Sequence, residues 1–109
     1  MNIPGRIKIG AHRVMVQVVD SSEIDNPGTF NNYHKKIRLR KEADTPESAV
    51  SETFMHEIFE GINAQNNLGV NHTGLTVLSE GLFQVIRDNG LDFREESGEE
   101  KIESGGRKC

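Results

Sequence analysis

The chain has little cysteine, no tryptophan and no long apolar run. Its 109 residues include one cysteine, Cys109, so no intramolecular disulfide can form and a reducing compartment is expected. No apolar run approaches the roughly 20 residues that a membrane-spanning helix needs. Residues 1–6 also lack the apolar stretch of a signal peptide. These absences predict a cytoplasmic protein that does not enter a membrane.

Positive charge is also scarce. The chain has 13 Lys and Arg against 17 Asp and Glu, which gives a formal net charge of −4. Proteins that bind nucleic acids neutralise phosphates with clustered Lys and Arg, so this balance argues against a nucleic-acid partner. The one basic run, residues 35–41, alternates Ile37 and Leu39 with charged side chains. It predicts a half-buried strand with a charged outer face.

Length and composition allow one domain with one modest core. Hydrophobic residues make up 34% of the chain and charged residues 28%, which is polar for a folded domain but not typical of a wholly disordered chain. From Arg94 onward apolar side chains are almost absent. We therefore expect a folded domain over residues 1–93 and a flexible charged tail over residues 94–109.

Apolar alternation predicts the strands. Residues 7–10 and 13–19 are rich in β-branched side chains on either side of a Gly-Ala-His break, which indicates a strand pair, and residues 36–41 form a third strand. Residues 20–32 are rich in Ser, Asp and Asn and contain the turn signal Asn26-Pro27-Gly28, so a loop is expected there.

Two amphipathic helices should follow the strands. The first is expected from Thr45 as N-cap and Pro46 as first helical residue to about Gln65. Its apolar stripe should comprise Val50, Phe54, Ile58 and Ile62, with Phe59 beside them. The second helix is expected from His72 to Asn89, where Asn89-Gly90 ends it. Its buried face should comprise Leu75, Leu78, Leu82, Val85 and Ile86. The elements together predict an α+β fold, with a small antiparallel or mixed sheet of about three strands packed on two helices.

The segment His56-Glu57-Ile58-Phe59-Glu60 lies on the first predicted helix. Because His56 and Glu60 are four residues apart, they project from the same face and can reach one ion. This is the spacing of the HExxH motif, in which two histidines bind zinc and the glutamate is the general base. Glu60 replaces the second histidine here, and a carboxylate binds zinc at about the same distance as an imidazole. Glu57 points about 100° away and can address a metal-bound water.

The order of strands, motif helix and second helix resembles the gluzincin-like metallopeptidases. It is more similar to small phage and prophage proteins in which a strand pair precedes an HExxH helix. The resemblance covers roughly residues 5–93, and its main motifs lie in residues 53–63 and 81–89. It implies a zinc-dependent metallopeptidase-like phage protein that acts on a protein or peptide.

The resemblance also implies a third ligand near the start of the second helix. In the HExxH proteins this ligand is a glutamate, and His72 occupies the position here. A His-His-Glu set would thus become His56, Glu60 and His72, which keeps two imidazoles and one carboxylate around Zn²⁺. The same nitrogen and oxygen donors also suit other divalent metals.

Other interpretations of these residues stay open at this level. His56 and Glu60 could form an exposed ion pair one helical turn apart, and His72 could cap the second helix. Glu80 could orient a ligand or be a solvated residue. His12 and His34 are expected to be surface histidines. The alternative function is a non-catalytic phage binding module on the same frame, with a structural or vestigial metal site.

Overall fold

The strands form one mixed sheet. The computed structural model describes residues 2–94, in which the strands are β1 (Arg6–Ile9), β2 (His12–Val19), β3 (Gly28–Asn31) and β4 (Lys36–Arg40). Their order across the sheet is β1-β2-β4-β3. The β1–β2 and β3–β4 pairs are antiparallel, whereas β2 and β4 run parallel. With the two helices described below, this arrangement confirms the predicted α+β class.

The prediction of three strands was wrong, because β3 is a fourth strand inside the segment expected to be a loop. Its four residues, Gly-Thr-Phe-Asn, are too few to show alternation and follow a Pro-Gly turn signal. Pairing with β4, the next strand along the chain, forms the strand, and Phe30 lies opposite Ile37 in the register. The four residues of β3 do not by themselves specify this pairing.

Helix α1 (Glu47–Asn66) and helix α2 (His72–Asn89) lie close to the predicted ranges. The start of α1 differs by one residue, since Pro46 is the N-cap and the Thr45 hydroxyl accepts a hydrogen bond from the backbone N–H of Glu42 at 2.9 Å. Both bounds of α2 are confirmed. The Asn71 side chain caps its start, and Gly90 ends it in the left-handed conformation at φ 60°.

The core lies between the sheet and α1. Strands β1, β3 and β4 contact α1, whereas α2 packs on α1 and contacts no strand within residues 2–94. The buried residues of this core are Ile9, Val14, Val16, Ile37, Leu39, Val50 and Phe54. The expected α1 stripe continues only partly, because Ile58 is half-buried and Ile62 is exposed. Each step of four residues rotates by about 40°, so the three steps from Val50 to Ile62 turn the stripe by about 120°, away from a flat sheet.

The buried face of α2 was predicted wrongly in part. Leu75, Ser79 and Phe83 are buried against α1, whereas Leu78 is 53% exposed and Leu82 and Val85 are also exposed. Apolar residues occur on two sides of this helix, and only packing selects one of them.

Two further expectations concern membrane-spanning helices and the C-terminal tail. Within residues 2–94, no helix combines the length and hydropathy required to cross a membrane. Apart from Arg94, the predicted tail of residues 94–109 lies outside the described residues.

Candidate metal centre

Three side chains from the two helices meet where the start of α2 lies beside the middle of α1. His56 and Glu60 lie one turn apart on α1, and His72 is the first residue of α2. The Nε2 atom of His56 lies 3.3 Å from Oε2 of Glu60, and Nδ1 of His72 lies 3.7 Å from the same oxygen. One donor atom from each residue falls within 4.8 Å of the other two. The predicted set is therefore brought together.

These distances fit a single small cation. Two donors that each lie about 2.1 Å from a tetrahedral ion are about 3.4 Å apart, close to the 3.3 Å and 3.7 Å between Glu60 and the two imidazoles. Two nitrogens and one oxygen are a donor set that zinc accepts, and three protein ligands leave a fourth position open. The residues present could hold such an ion.

The two alternative roles for the histidines fit the structure less well. The His56 side chain is only 15% exposed, so His56 and Glu60 are not a fully solvated surface pair. Asn71 caps α2 by accepting a hydrogen bond from the backbone N–H of Gly74 at 2.8 Å, so the capping position is not that of His72. The His72 side chain is 78% exposed, and the cluster therefore opens to solvent on the α2 side.

Glu57 differs from its neighbours on the helix because it is buried. It lies on the α1 face that points to the sheet and is 6% exposed. Burial, together with the smaller effect of the nearby negative charge of Glu60, raises the pKa of Glu57 to about 7. Glu57 is thus a carboxyl group that can exchange a proton near neutral pH.

A cavity of about 630 Å³ contains all four of these residues. Its walls come from α1, from the start of α2 and from residues 26–30, which include edge strand β3. Four glutamates line it and no Lys or Arg does, within the described part of the chain. Glu80 is one of them, but it is exposed. The cavity is therefore acidic and bordered by a strand edge.

His12 and His34 are both exposed and lie outside the cluster, as expected. Two contributors to the site were missed. A Cβ on Gly28 would lie 2.6 Å from Cγ2 of Thr53 and 3.1 Å from Cγ of Glu57, so only glycine lets β3 approach α1 this closely. The sequence Asn26-Pro27-Gly28 indicated only a turn, so this role of Gly28 was not predicted. Ser79 contacts His56, and its only sequence signal is a polar residue between Leu75 and Phe83.

Comparisons of this chain with protein-family models, with curated proteins and with solved structures find no match. The family resemblance therefore remains a prediction from the motifs.

Proposed function

We propose that this protein is a small zinc-dependent metallopeptidase in which His56, Glu60 and His72 hold the ion and Glu57 is the general base. The observation that supports this proposal is the convergence of the three donor atoms within 4.8 Å of one another, in the same cavity as a buried carboxyl group. The resemblance to small phage metallopeptidases points in the same direction. Another divalent metal with the same donor preference would be compatible with the site.

Zinc, when bound, lowers the pKa of water toward 7 and polarises a carbonyl group. Glu57 accepts a proton from the attacking water and then delivers it to the amine nitrogen as the C–N bond of the peptide breaks. In the metal-free chain the pKa of about 7 allows Glu57 to take up and release a proton near neutral pH.

A protein or peptide is the substrate that the cavity favours. Within residues 2–94, β3 pairs with β4 on one side only, and its residues Gly28 to Phe30 line the cavity. An extended peptide can add to such an edge through backbone hydrogen bonds. Four glutamates in the lining disfavour phosphate-rich ligands, so a nucleic-acid substrate is not proposed. We propose a cytoplasmic location, in keeping with the single cysteine.

Zinc content and peptide hydrolysis test the proposal together. The wild-type chain and Glu57→Gln should each bind one zinc ion, measured by elemental analysis after dialysis, because Glu57 is not a ligand. His56→Ala should bind none and should no longer gain thermal stability from zinc, since an ion that binds only the folded state stabilises it by mass action. Of these three chains, only the wild type should cleave unfolded casein.

His34→Ala provides the matched control, because His34 is an exposed histidine outside the cluster. It should keep full zinc content and activity. A wild-type chain that holds no zinc would contradict the proposed metal site. A zinc-loaded chain that cleaves no peptide would contradict the peptidase assignment and leave a structural metal site.

The second candidate function is a non-catalytic module that binds a partner protein. The exposed apolar side chains of α2 favour it, because Val77 and Leu78 are 64% and 53% exposed. Exposed apolar residues that adjoin one another are typical of contact surfaces. In this case Glu57→Gln would leave the function intact, whereas charged substitutions on that face of α2 would abolish it.

A further inference from the structure

Ser79 is a buried polar residue in the apolar interface between the helices. It is 1% exposed and lies between Leu75 and Phe83 on the face of α2 that packs on α1. A buried hydroxyl group is unfavourable unless it forms hydrogen bonds. Alanine would fill this helical position with higher helix propensity and no polar group, so the hydroxyl calls for an explanation in the contacts that it makes.

The Ser79 hydroxyl contacts two groups. Its Oγ donates to the backbone carbonyl of Thr76 at 3.1 Å and lies 3.4 Å from Nδ1 of His56. A serine hydroxyl has one proton and two lone pairs. When this proton is directed to the Thr76 carbonyl, Oγ can accept a hydrogen bond from Nδ1–H of His56.

The two nitrogens of the His56 ring therefore have different neighbours. Nε2 lies 3.3 Å from Glu60, on the side of the metal cluster, and Nδ1 faces Ser79. An imidazole that binds a metal through Nε2 carries its proton on Nδ1, and that N–H normally has an acceptor that fixes the ring. Ser79 Oγ stands in that position.

We infer that Ser79 is a positioning residue of the metal site, which accepts a hydrogen bond from His56 Nδ1–H and so directs Nε2 toward the ion. This inference rests on the proposed metal-binding function. The site then includes Ser79 from the middle of α2, in addition to His72 at the start of that helix. Two hydrogen bonds, one from Nδ1–H to Oγ and one from Oγ–H to the Thr76 carbonyl, connect the His56 ring to the backbone and hold it in one orientation.

Zinc affinity and the NMR signals of the His56 ring nitrogens test the inference. In Ser79→Ala the dissociation constant for zinc, measured by competition with a chromophoric chelator, should rise roughly 10-fold to 100-fold, as is typical when the hydrogen-bond partner of a ligand is lost. The melting temperature of the metal-free variant should not fall, because alanine suits a buried helical position. In zinc-loaded protein, the Nδ1 proton of His56 should exchange slowly in the wild type and faster in the variant.

Ser51→Ala is the matched control, since Ser51 is a buried serine on α1 that does not line the cavity. It should leave both the zinc affinity and the His56 signals unchanged. An unchanged zinc affinity in Ser79→Ala would overturn the inference.

Failure of the metal site itself can be recognised separately. If the wild type binds no zinc, the positioning role fails with the metal site, and the His56 Nδ1 signal of metal-free protein at mildly alkaline pH then tests only the hydrogen bond to Ser79. It should differ between the wild type and Ser79→Ala, and identical signals would overturn the hydrogen bond.

Discussion

Among single residues, Glu57 has the most unusual surroundings. It follows His56 directly, yet it points into the space between α1 and the sheet, where Gly28 lies opposite its side chain. A glutamate in such a position is unfavourable when ionised, because the interior solvates its charge poorly. The protein therefore holds the proposed general base at a cost in folding stability, a cost that is common at active sites.

The raised pKa of Glu57 predicts a pH dependence of stability. Its value of about 7 in the folded chain lies above the ordinary value of 4.5, so between these values the folded state holds a proton that the unfolded state has released. Raising the pH through this window therefore favours unfolding. The free energy of unfolding of metal-free Glu57→Gln should equal that of the wild type at about pH 4.5. At about pH 8 it should be higher than that of the wild type by about 2 kcal/mol, after allowance for solvent screening.

Chemical denaturation of both chains across this pH range, with metal removed by a chelator, measures the difference. Glu52→Gln is the control, since Glu52 is an exposed glutamate on the same helix. It should keep the pH dependence of the wild type because the Glu57 carboxyl is intact. Equal stability of Glu57→Gln and the wild type at every pH would show that Glu57 is solvated in the folded protein.

At the scale of elements, the connection between α1 and α2 determines where His72 lies. The amide group of Asn63 bonds in both directions with the backbone of Val70: its nitrogen donates to the carbonyl and its oxygen accepts from the N–H, each at 3.0 Å. Asn67, at φ 55°, ends α1 in the left-handed conformation. These contacts return the chain so that α2 starts beside Glu60.

Asn63→Ala should therefore weaken both the fold and the metal site. The loss of two hydrogen bonds should lower the free energy of unfolding by roughly 2 kcal/mol, and zinc affinity should fall because His72 follows Val70 by two residues. Denaturation and zinc titration measure the two effects. Asn66→Ala is the control, since Asn66 makes one exposed bond to the carbonyl of Ile62. It should change neither quantity appreciably.

Helix α2 contains a glycine for which the described residues offer no packing reason. A Cβ on Gly81 would meet no heavy atom within 4 Å, whereas one on Gly61 would lie 3.0 Å from Cδ1 of Ile9 and 3.1 Å from Cε1 of Phe30. Gly61 thus allows α1 to approach the sheet closely. Gly81 only reduces helix stability.

Gly81→Ala should raise the free energy of unfolding by about 0.5 to 1 kcal/mol, because alanine is the better helix former and the site is open. Gly61→Ala should be less stable than Gly81→Ala, since its methyl group must displace core side chains. Thermal denaturation of the two variants compares them. A loss of stability in Gly81→Ala would indicate that this face of α2 is covered in solution.

The whole molecule is layered as sheet, α1 and α2. Because α1 separates the other two layers, it packs on two sides: Val50 and Phe54 face the sheet, whereas His56 faces Ser79 of α2. The cavity lies between β3, the middle of α1 and the first half of α2, and each of them supplies part of its wall. Displacement of any layer should therefore alter the site.

Removal of residues 95–109 should leave the fold intact. This segment contains one large aliphatic residue, Ile102, among charged residues, serine, glycine and one cysteine, so it can contribute little buried apolar area. A chain that ends at Arg94 should melt within roughly 3 °C of the full chain. A fall of about 10 °C would show that the segment packs on the domain.

A chain that ends at Asp88 is the comparison for this experiment. It lacks the hydrogen bonds that Gly90 and Leu91 donate to the carbonyls of Arg87 and Ile86 at the end of α2. It should be less stable than the chain ending at Arg94 by about 1 kcal/mol, because the helix terminus loses its cap.

The sequence by itself determined the α+β class, both bounds of α2 and the strand with buried Ile37 and Leu39. It also predicted that His56 and Glu60 could meet, because their four-residue spacing follows from helix geometry alone, whereas His72 was implied only by the family resemblance. These features depend on local periodicity and on capping residues such as Asn71 and Gly90. Such signals act within a few residues, so a single sequence contains them.

The tertiary structure decided the features that depend on pairing and packing between separate elements. Pairing with β4 makes a strand of residues 28–31, and packing on α1 buries Ser79 while Leu78 remains exposed. The same packing encloses Glu57 and places the Ser79 hydroxyl next to His56. Burial, cavity shape and pKa arise from several elements at once, and no local pattern specifies them.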